Sequence, residues 1–149
     1  MNYANQATAL FPLPCACQNL RRLTRLVTRI YDQELRNADI EITHFGLLTV
    51  LAKVGEANLK SMCAGLAMDS TTLTRTLTLL RKKGWIHVRP GKDRRERLFR
   101  LTEAGKAQLA EAQRHWEAAE HRWRKGLGPV AWRELQGAVS RATSAALAA

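Results

Sequence analysis

Cysteine is scarce in this chain. Cys15, Cys17 and Cys63 are the only three in 149 residues, too few and too unevenly placed for a secreted disulfide scaffold, so thiols in a reducing compartment are expected. No apolar run approaches the ~20 residues needed to cross a bilayer. The opening MNYANQATALFPLP lacks the charged region and apolar block of a secretion signal. A cytoplasmic location without a membrane partner is therefore expected. The four histidines (His44, His87, His115, His121) have no nucleophile or acidic partner at a recognisable spacing, and neither a glycine-rich phosphate loop nor a metal cluster is visible. Enzymatic activity, a cofactor and a metal are not expected. Acids are also short, 13 against 24 lysines and arginines.

What is present is positive charge, unevenly spread. From Arg75 to Lys106 there are eleven Lys and Arg against three acids, Asp93, Glu96 and Glu103, which puts +8 of the net +11 into 32 residues. A compact basic domain favours a polyanion, because each phosphate neutralised releases counterions. At 46% hydrophobic the chain can fill one core, or a core shared by two small subdomains.

The fold expected is mainly α with a small β-hairpin wing: a winged helix-turn-helix head plus a helical dimerisation region from the N- and C-terminal helices. Residues 1–17 have no clear period and read as an N-terminal arm. From Gln18 to about Arg36, Leu20, Leu23, Val27, Ile30, Tyr31 and Leu35 recur at helical spacing, with Arg21, Arg22, Arg25 and Arg29 opposite. Thr43 is the expected N-cap of a helix to about Val54, with Phe45, Leu48, Leu51 and Ala52 inward. Asn58 caps a short helix carrying Leu59, Met62, Cys63 and Leu66 on one side, and Asp69 caps a longer one to about Lys83, closed by Gly84. Trp85–Arg89 and Arg97–Leu101 alternate as two strands around Pro90, Gly91 and Lys92. Thr102 caps a helix to about Lys125, with Trp116 and Trp123 on one face, before Gly126, Gly128 and Pro129 break it and a last helix begins.

These elements divide the chain into the arm 1–17, a head over 43–102, and a dimerisation region over 18–42 and 103–149. A 24-residue helix is roughly 36 Å long, too long for so small a head to cover. The apolar faces left over predict an obligate two-fold homodimer.

The expected DNA contacts fall into two groups. Ser70, Thr71, Thr72, Thr74 and Arg75 occupy the first turn and a half of the Asp69 helix, the part of a recognition helix that meets base edges. Arg75 can pair bidentately with guanine, while threonine offers a hydroxyl to phosphate or a methyl to thymine; for Ser70 and Thr72, helix capping is an equal alternative. Lys92, Arg94, Arg95 and Arg97 form a basic hairpin tip suited to the minor groove. Asp93 beside them is expected to orient one arginine by a charge-assisted hydrogen bond.

The residues Asp69-Ser70-Thr71-Thr72-Leu73-Thr74-Arg75, Lys83-Gly84-Trp85-Ile86, Asp93-Arg94-Arg95, Leu98, Leu101-Thr102 and Gly105 together resemble the recognition helix and wing signature of the MarR family of bacterial transcriptional regulators, over nearly the whole chain. The resemblance implies a triangular dimer with interlocked N- and C-terminal helices, whose two heads read a palindromic operator in successive major grooves. It also implies repression, relieved by a small phenolic or aromatic ligand or by an oxidant.

For the oxidant, Cys15 and Cys17 are the candidate redox switch. They lie just before the first long helix, where the family's peroxide sensors place a reactive cysteine, and the helix N-terminus and nearby Arg21 and Arg22 favour thiol reactivity. Such an alternating pair is bridged more readily across a dimer than within one strand. Plain structural thiols and a Cys-x-Cys soft-metal site are the alternatives, although nothing nearby completes a ligand set. For a ligand, the candidate pocket residues are Arg22, Arg25 and His44, where an arginine could meet an aromatic carboxylate; interface or solvent arginines are the competing reading.

A winged helix serving as a protein- or RNA-interaction module without its own operator is the alternative function. A protein-docking head does not need four cations in its wing. RNA recognition usually shows stacking aromatics, and this head carries only Trp85 and Phe99.

Overall fold

In a computed structural model that describes residues 14–93 and 95–149, the chain runs through α1 (Ala16–Leu35), a 3-10 turn (Arg36–Ala38), α2 (Ile42–Val54), β1 (Glu56–Asn58), α3 (Leu59–Leu66), α4 (Ser70–Lys82), β2 (Ile86–Pro90), β3 (Arg97–Leu101), α5 (Glu103–Leu127) and α6 (Pro129–Ala148). The expected class, mainly helical with a small antiparallel wing, is the class observed. Residues 1–13 of the expected arm, and Arg94, lie outside the described residues. Of the remaining arm, Ala16 and Cys17 already belong to α1, because Cys15 supplies the extended N-cap backbone (φ −97°, ψ 117°).

Leu35, Leu47, Leu48, Leu51, Leu73, Leu80 and Ile86 are the largest fully buried side chains, each worth about 1.5–3 kcal/mol of transfer free energy. They lock α2, α4 and the wing base into one unit. The long α5 packs on α1 and α2, and small residues at the crossings, Ala112 and Ala119, both fully buried, let the helices approach closely. Trp116 and Trp123 share that face as expected and turn into their own chain. Trp116 stacks on Phe45 with centroids 5.9 Å apart. Trp123 meets Tyr31 edge-on at 6.4 Å and Trp132 at 5.3 Å. Tyr31 donates a short hydrogen bond to the Glu120 carboxylate, and burial together with that bond pushes its phenol well above the usual range.

Several local expectations need correction. Thr43 is not the N-cap of α2. Glu41 holds that position, and the helix start is capped from a distance, Asp32 Oδ1 accepting from Ile42 N at 2.8 Å. A ten-residue separation hides such a cap from any local pattern. Ala52, expected inward, is exposed. Gly126 does not break α5, which continues to Leu127 and stops at Gly128 (φ +78°). The sheet also has three strands in the order β1-β3-β2: β1 pairs with β3 in the register Glu56↔Arg100 to Asn58↔Leu98, and β2 is shifted one residue later than expected, with Ile86 opposite Leu101 and Pro90 opposite Arg97.

Two junctions set how the wing meets the helices. At the end of α4, Gly84 (φ +76°) completes a Schellman motif, its N–H donating to Arg81 O (3.0 Å) and that of Trp85 to Leu80 O (3.0 Å). At the start of α5, Thr102 caps the helix by accepting from Gly105 N (3.0 Å) and donates its hydroxyl to Gly84 O (2.6 Å), while Thr102 N donates to Trp85 O (3.0 Å). Gly105 permits this approach. A Cβ there would overlap the Trp85 carbonyl oxygen and stand 2.8 Å from its carbon.

Candidate nucleic-acid interface

The α4 helix forms because Leu73, Leu77 and Leu80 recur on one face and are 0–2% exposed, and because Asp69 caps its start, Oδ1 accepting from Thr72 N at 2.9 Å. Hydrogen bonds from Thr72 hold the fully exposed Asp69 carboxyl below its usual range. The expected DNA-reading residues fall on the opposite side: Ser70, Thr71, Thr72, Thr74 and Arg75 are all exposed. Thr76 and Thr78 instead return their hydroxyls to the carbonyls of Thr72 and Thr74 (3.0 and 2.8 Å), a use that withdraws them from solvent partners. Arg75 has no ion-pair partner among the described residues, so its guanidinium carries a free donor fork.

Beside α4 the wing presents Lys92, Arg95 and Arg97, all exposed. Arg94 cannot be placed with them because it lies outside the described residues. Asp93 behaves differently from expectation: its Oδ1 accepts from the backbone N of Arg95 (2.9 Å), an Asx-type turn that shapes the tip, and among the described residues it meets no arginine side chain. Arg89, at the wing base, is engaged in a bidentate pair with Glu56, Nε to Oε2 at 2.9 Å and Nη2 to Oε1 at 2.5 Å.

Between α4, the first turn of α3 and the wing lies a groove of about 730 Å³, with Leu77, Val88 and Phe99 among its apolar lining and Lys60, Arg81, Arg95 and Arg97 as its cations. Lys60 and Arg81 did not stand out in the sequence. The available signal was local: Lys60 follows the N-cap Asn58 by two residues, in the helix turn that lies over the DNA backbone in a helix-turn-helix.

The effector candidates separate in space. Cys15 and Cys17 are exposed free thiols at the start of α1, and Cys63 is half-buried against the core. His44 is buried and borders a cavity of about 330 Å³ with Asp32, Arg36, Asp39, Ile40, Glu41, Leu79 and Lys83. Burial lowers its pKa from the ordinary 6.5, more than Glu41 raises it. Arg22 and Arg25 do not line this cavity, so the three expected pocket residues are not brought together. Lys83 closes one wall, its Nζ donating to Asp39 O and Oδ2 (3.3 and 3.1 Å).

No protein-family model matches the chain. Among curated proteins it is 26% identical over 92 residues, 62% of this chain and 67% of the relative, to an uncharacterised helix-turn-helix transcriptional regulator, YwoH, of Bacillus subtilis. Among solved structures it is similar to the M. tuberculosis transcriptional regulator MosR in complex with DNA, with 29% identity, a TM-score of 0.81, and coverage of 90% of this chain and 97% of the other. A cysteine variant of MarR from E. coli complexed with operator DNA shares the fold at 21% identity and a TM-score of 0.78, over 84% of this chain and 91% of that one.

Proposed function

We propose that this MarR-family winged-helix chain is a dimeric transcriptional repressor that binds a palindromic operator and releases it when Cys15 and Cys17 are oxidised. The observation that carries the DNA-binding reading is the exposed polar face of α4, with Arg75 free of ion pairs among the described residues, set beside a cation-lined groove that continues into the wing. A MosR–DNA complex at 29% identity supports the same mode. In the proposed mode Arg75 reads a base edge, Ser70, Thr71, Thr72 and Thr74 serve the neighbouring bases and phosphates, and the wing cations enter the minor groove.

Dimerisation is supported by apolar side chains left uncovered at both ends of the chain. Leu20, Leu23 and Leu26 on α1 are 39–55% exposed, and Val130, Val139 and Leu147 on α6 are 49–75% exposed, while no residue of α6 is buried. A second copy covers these faces and spaces two heads along the duplex.

Two observations favour oxidation over an aromatic acid as the release signal. Both thiols are open to solvent at the start of a helix in the proposed dimer region. The cavity at His44 is lined by three carboxylates against two cations, a poor setting for a ligand carboxylate. In the switch, two thiols give up two protons and two electrons to a peroxide, forming one disulfide and reducing hydrogen peroxide to two waters, or an organic hydroperoxide to an alcohol and a water.

Fluorescence anisotropy on a duplex from the region upstream of the protein's own gene, reduced and then peroxide-treated, tests this alongside a Cys15→Ser, Cys17→Ser variant. Release on oxidation with a resistant variant is expected. If both proteins stay bound, the thiols are structural and the effector is sought among small phenolic and aromatic ligands.

A further inference from the structure

Two carboxylates line the otherwise cationic groove between α4 and the wing, Asp93 and Glu96, although a negative charge facing a polyanion opposes its binding. Asp93 is used in the turn of the wing tip. Glu96 does something else. Its Oε1 accepts from Asn58 Nδ2 at 2.6 Å, across 38 residues. Its backbone carbonyl accepts from Gly91 N at 2.8 Å, and its N–H donates to Asp93 O at 2.9 Å.

Asn58 is also the N-cap of α3, its Oδ1 accepting from Ser61 N at 2.8 Å. One amide therefore uses its acceptor on the helix-turn-helix and its donor on the wing. Gly91 leaves room for the carboxylate, since a Cβ there would overlap a Glu96 oxygen and lie 2.8 Å from its Cδ. The Arg89–Glu56 pair ties β2 to β1 lower down, and the Asn58–Glu96 bond ties the base of the tip to the start of α3.

We propose that Asn58 and Glu96 form a latch that fixes the wing tip relative to α3 and α4, so that Lys92, Arg95 and Arg97 are held in place before DNA arrives. Both are positioning residues rather than DNA contacts. The latch rests on the DNA-binding reading above and adds to it a reason for an acid in the interface: cations ordered beforehand lose less conformational freedom on binding.

The test uses Glu96→Ala, Glu96→Gln, Asn58→Asp and the Asn58→Asp/Glu96→Ala double variant. Aspartate retains the N-cap acceptor and removes the donor; glutamine retains an acceptor for Asn58 and removes the charge. Amide hydrogen exchange over residues 91–97 is followed in the free protein. Affinity and its salt slope are measured by anisotropy on a duplex that the wild type selects from a random library. Faster exchange is expected in Glu96→Ala and Asn58→Asp, with affinity down about tenfold and the slope shallower by about two phosphates. The glutamine variant should stay within about threefold of wild type, and the double variant should be no weaker than either single one, as expected for two ends of one bond.

Unchanged exchange overturns the latch whether or not DNA binds. Faster exchange with undiminished affinity overturns it as a positioning device, and tighter binding by Glu96→Ala would make the carboxylate a plain repulsive charge. A wild type that binds no duplex at all sinks the DNA-binding reading itself and, with it, the latch as a device for DNA.

Discussion

Replacing Gly105 with alanine sets two effects of one methyl group against each other. Alanine is the better helix former by about 1 kcal/mol. At this position its Cβ would overlap the Trp85 carbonyl oxygen and stand 2.8 Å from the carbonyl carbon and 3.2 Å from Cα. The obstacle is backbone, so α5 and the wing base must separate. The contacts in the way of that separation are Thr102 N to Trp85 O (3.0 Å) and Thr102 Oγ1 to Gly84 O (2.6 Å). At about 1 kcal/mol net per hydrogen bond, their loss cancels the propensity gain and leaves about 1 kcal/mol of destabilisation. Overpacking adds about 1–3 kcal/mol, so the total is about 2–4 kcal/mol. For a chain of this size that lowers Tm by roughly 5–15 °C. Differential scanning calorimetry at fixed protein concentration measures it, since the stability of a dimer depends on concentration. Gly126→Ala is the control, because nothing lies within 4 Å of its Cβ position inside the same helix; it should raise stability by about 1 kcal/mol. If both variants gain stability, α5 is not seated on the wing base as described.

Arg75→Ala should relax preference at one base pair in each half-site, whereas Arg95→Ala should weaken binding evenly across sequences; an unchanged profile for Arg75→Ala in a binding selection would mean α4 presents a different face. His44 has its pKa lowered in the folded state by burial, so the unfolded chain binds the proton more readily. Its contribution to stability is complete above pH 6.5 and is lost as pH falls below that value. Urea titrations between about pH 7.5 and 5 should therefore show a shallower loss for His44→Gln than for wild type, and parallel losses would remove His44 as the cause. Leu23→Lys together with Leu26→Lys, at side chains 39% and 44% exposed, should shift the dimer toward monomer. Analytical ultracentrifugation that still finds a dimer at low micromolar concentration would take this face out of the interface.

Much of the fold was readable wherever the cause is local. The N-caps Asn58, Asp69 and Thr102 each bond the amide three residues on, and the leucine spacing of α4 matches its buried face; periodicity and capping act within one or two turns of chain. The same holds for the exposed polar face of α4 and the basic tip of the wing, because charge and exposure there follow from residue type and element boundaries.

What tertiary structure alone decided depends on contacts far apart in sequence. Glu56-Ala57-Asn58 has no strand pattern and becomes a strand only because β3 offers an edge. The α2 helix starts at Ile42 because Asp32 reaches its amide, His44 is set beside Asp32, Arg36, Asp39, Glu41 and Lys83 rather than Arg22 and Arg25, and Glu96 finds Asn58 across 38 residues. Helix periodicity and local caps are written in neighbouring residues. Pairing partners, cavity linings and latches are set by which segments the closed core brings within a few ångströms, and no short-range pattern encodes that.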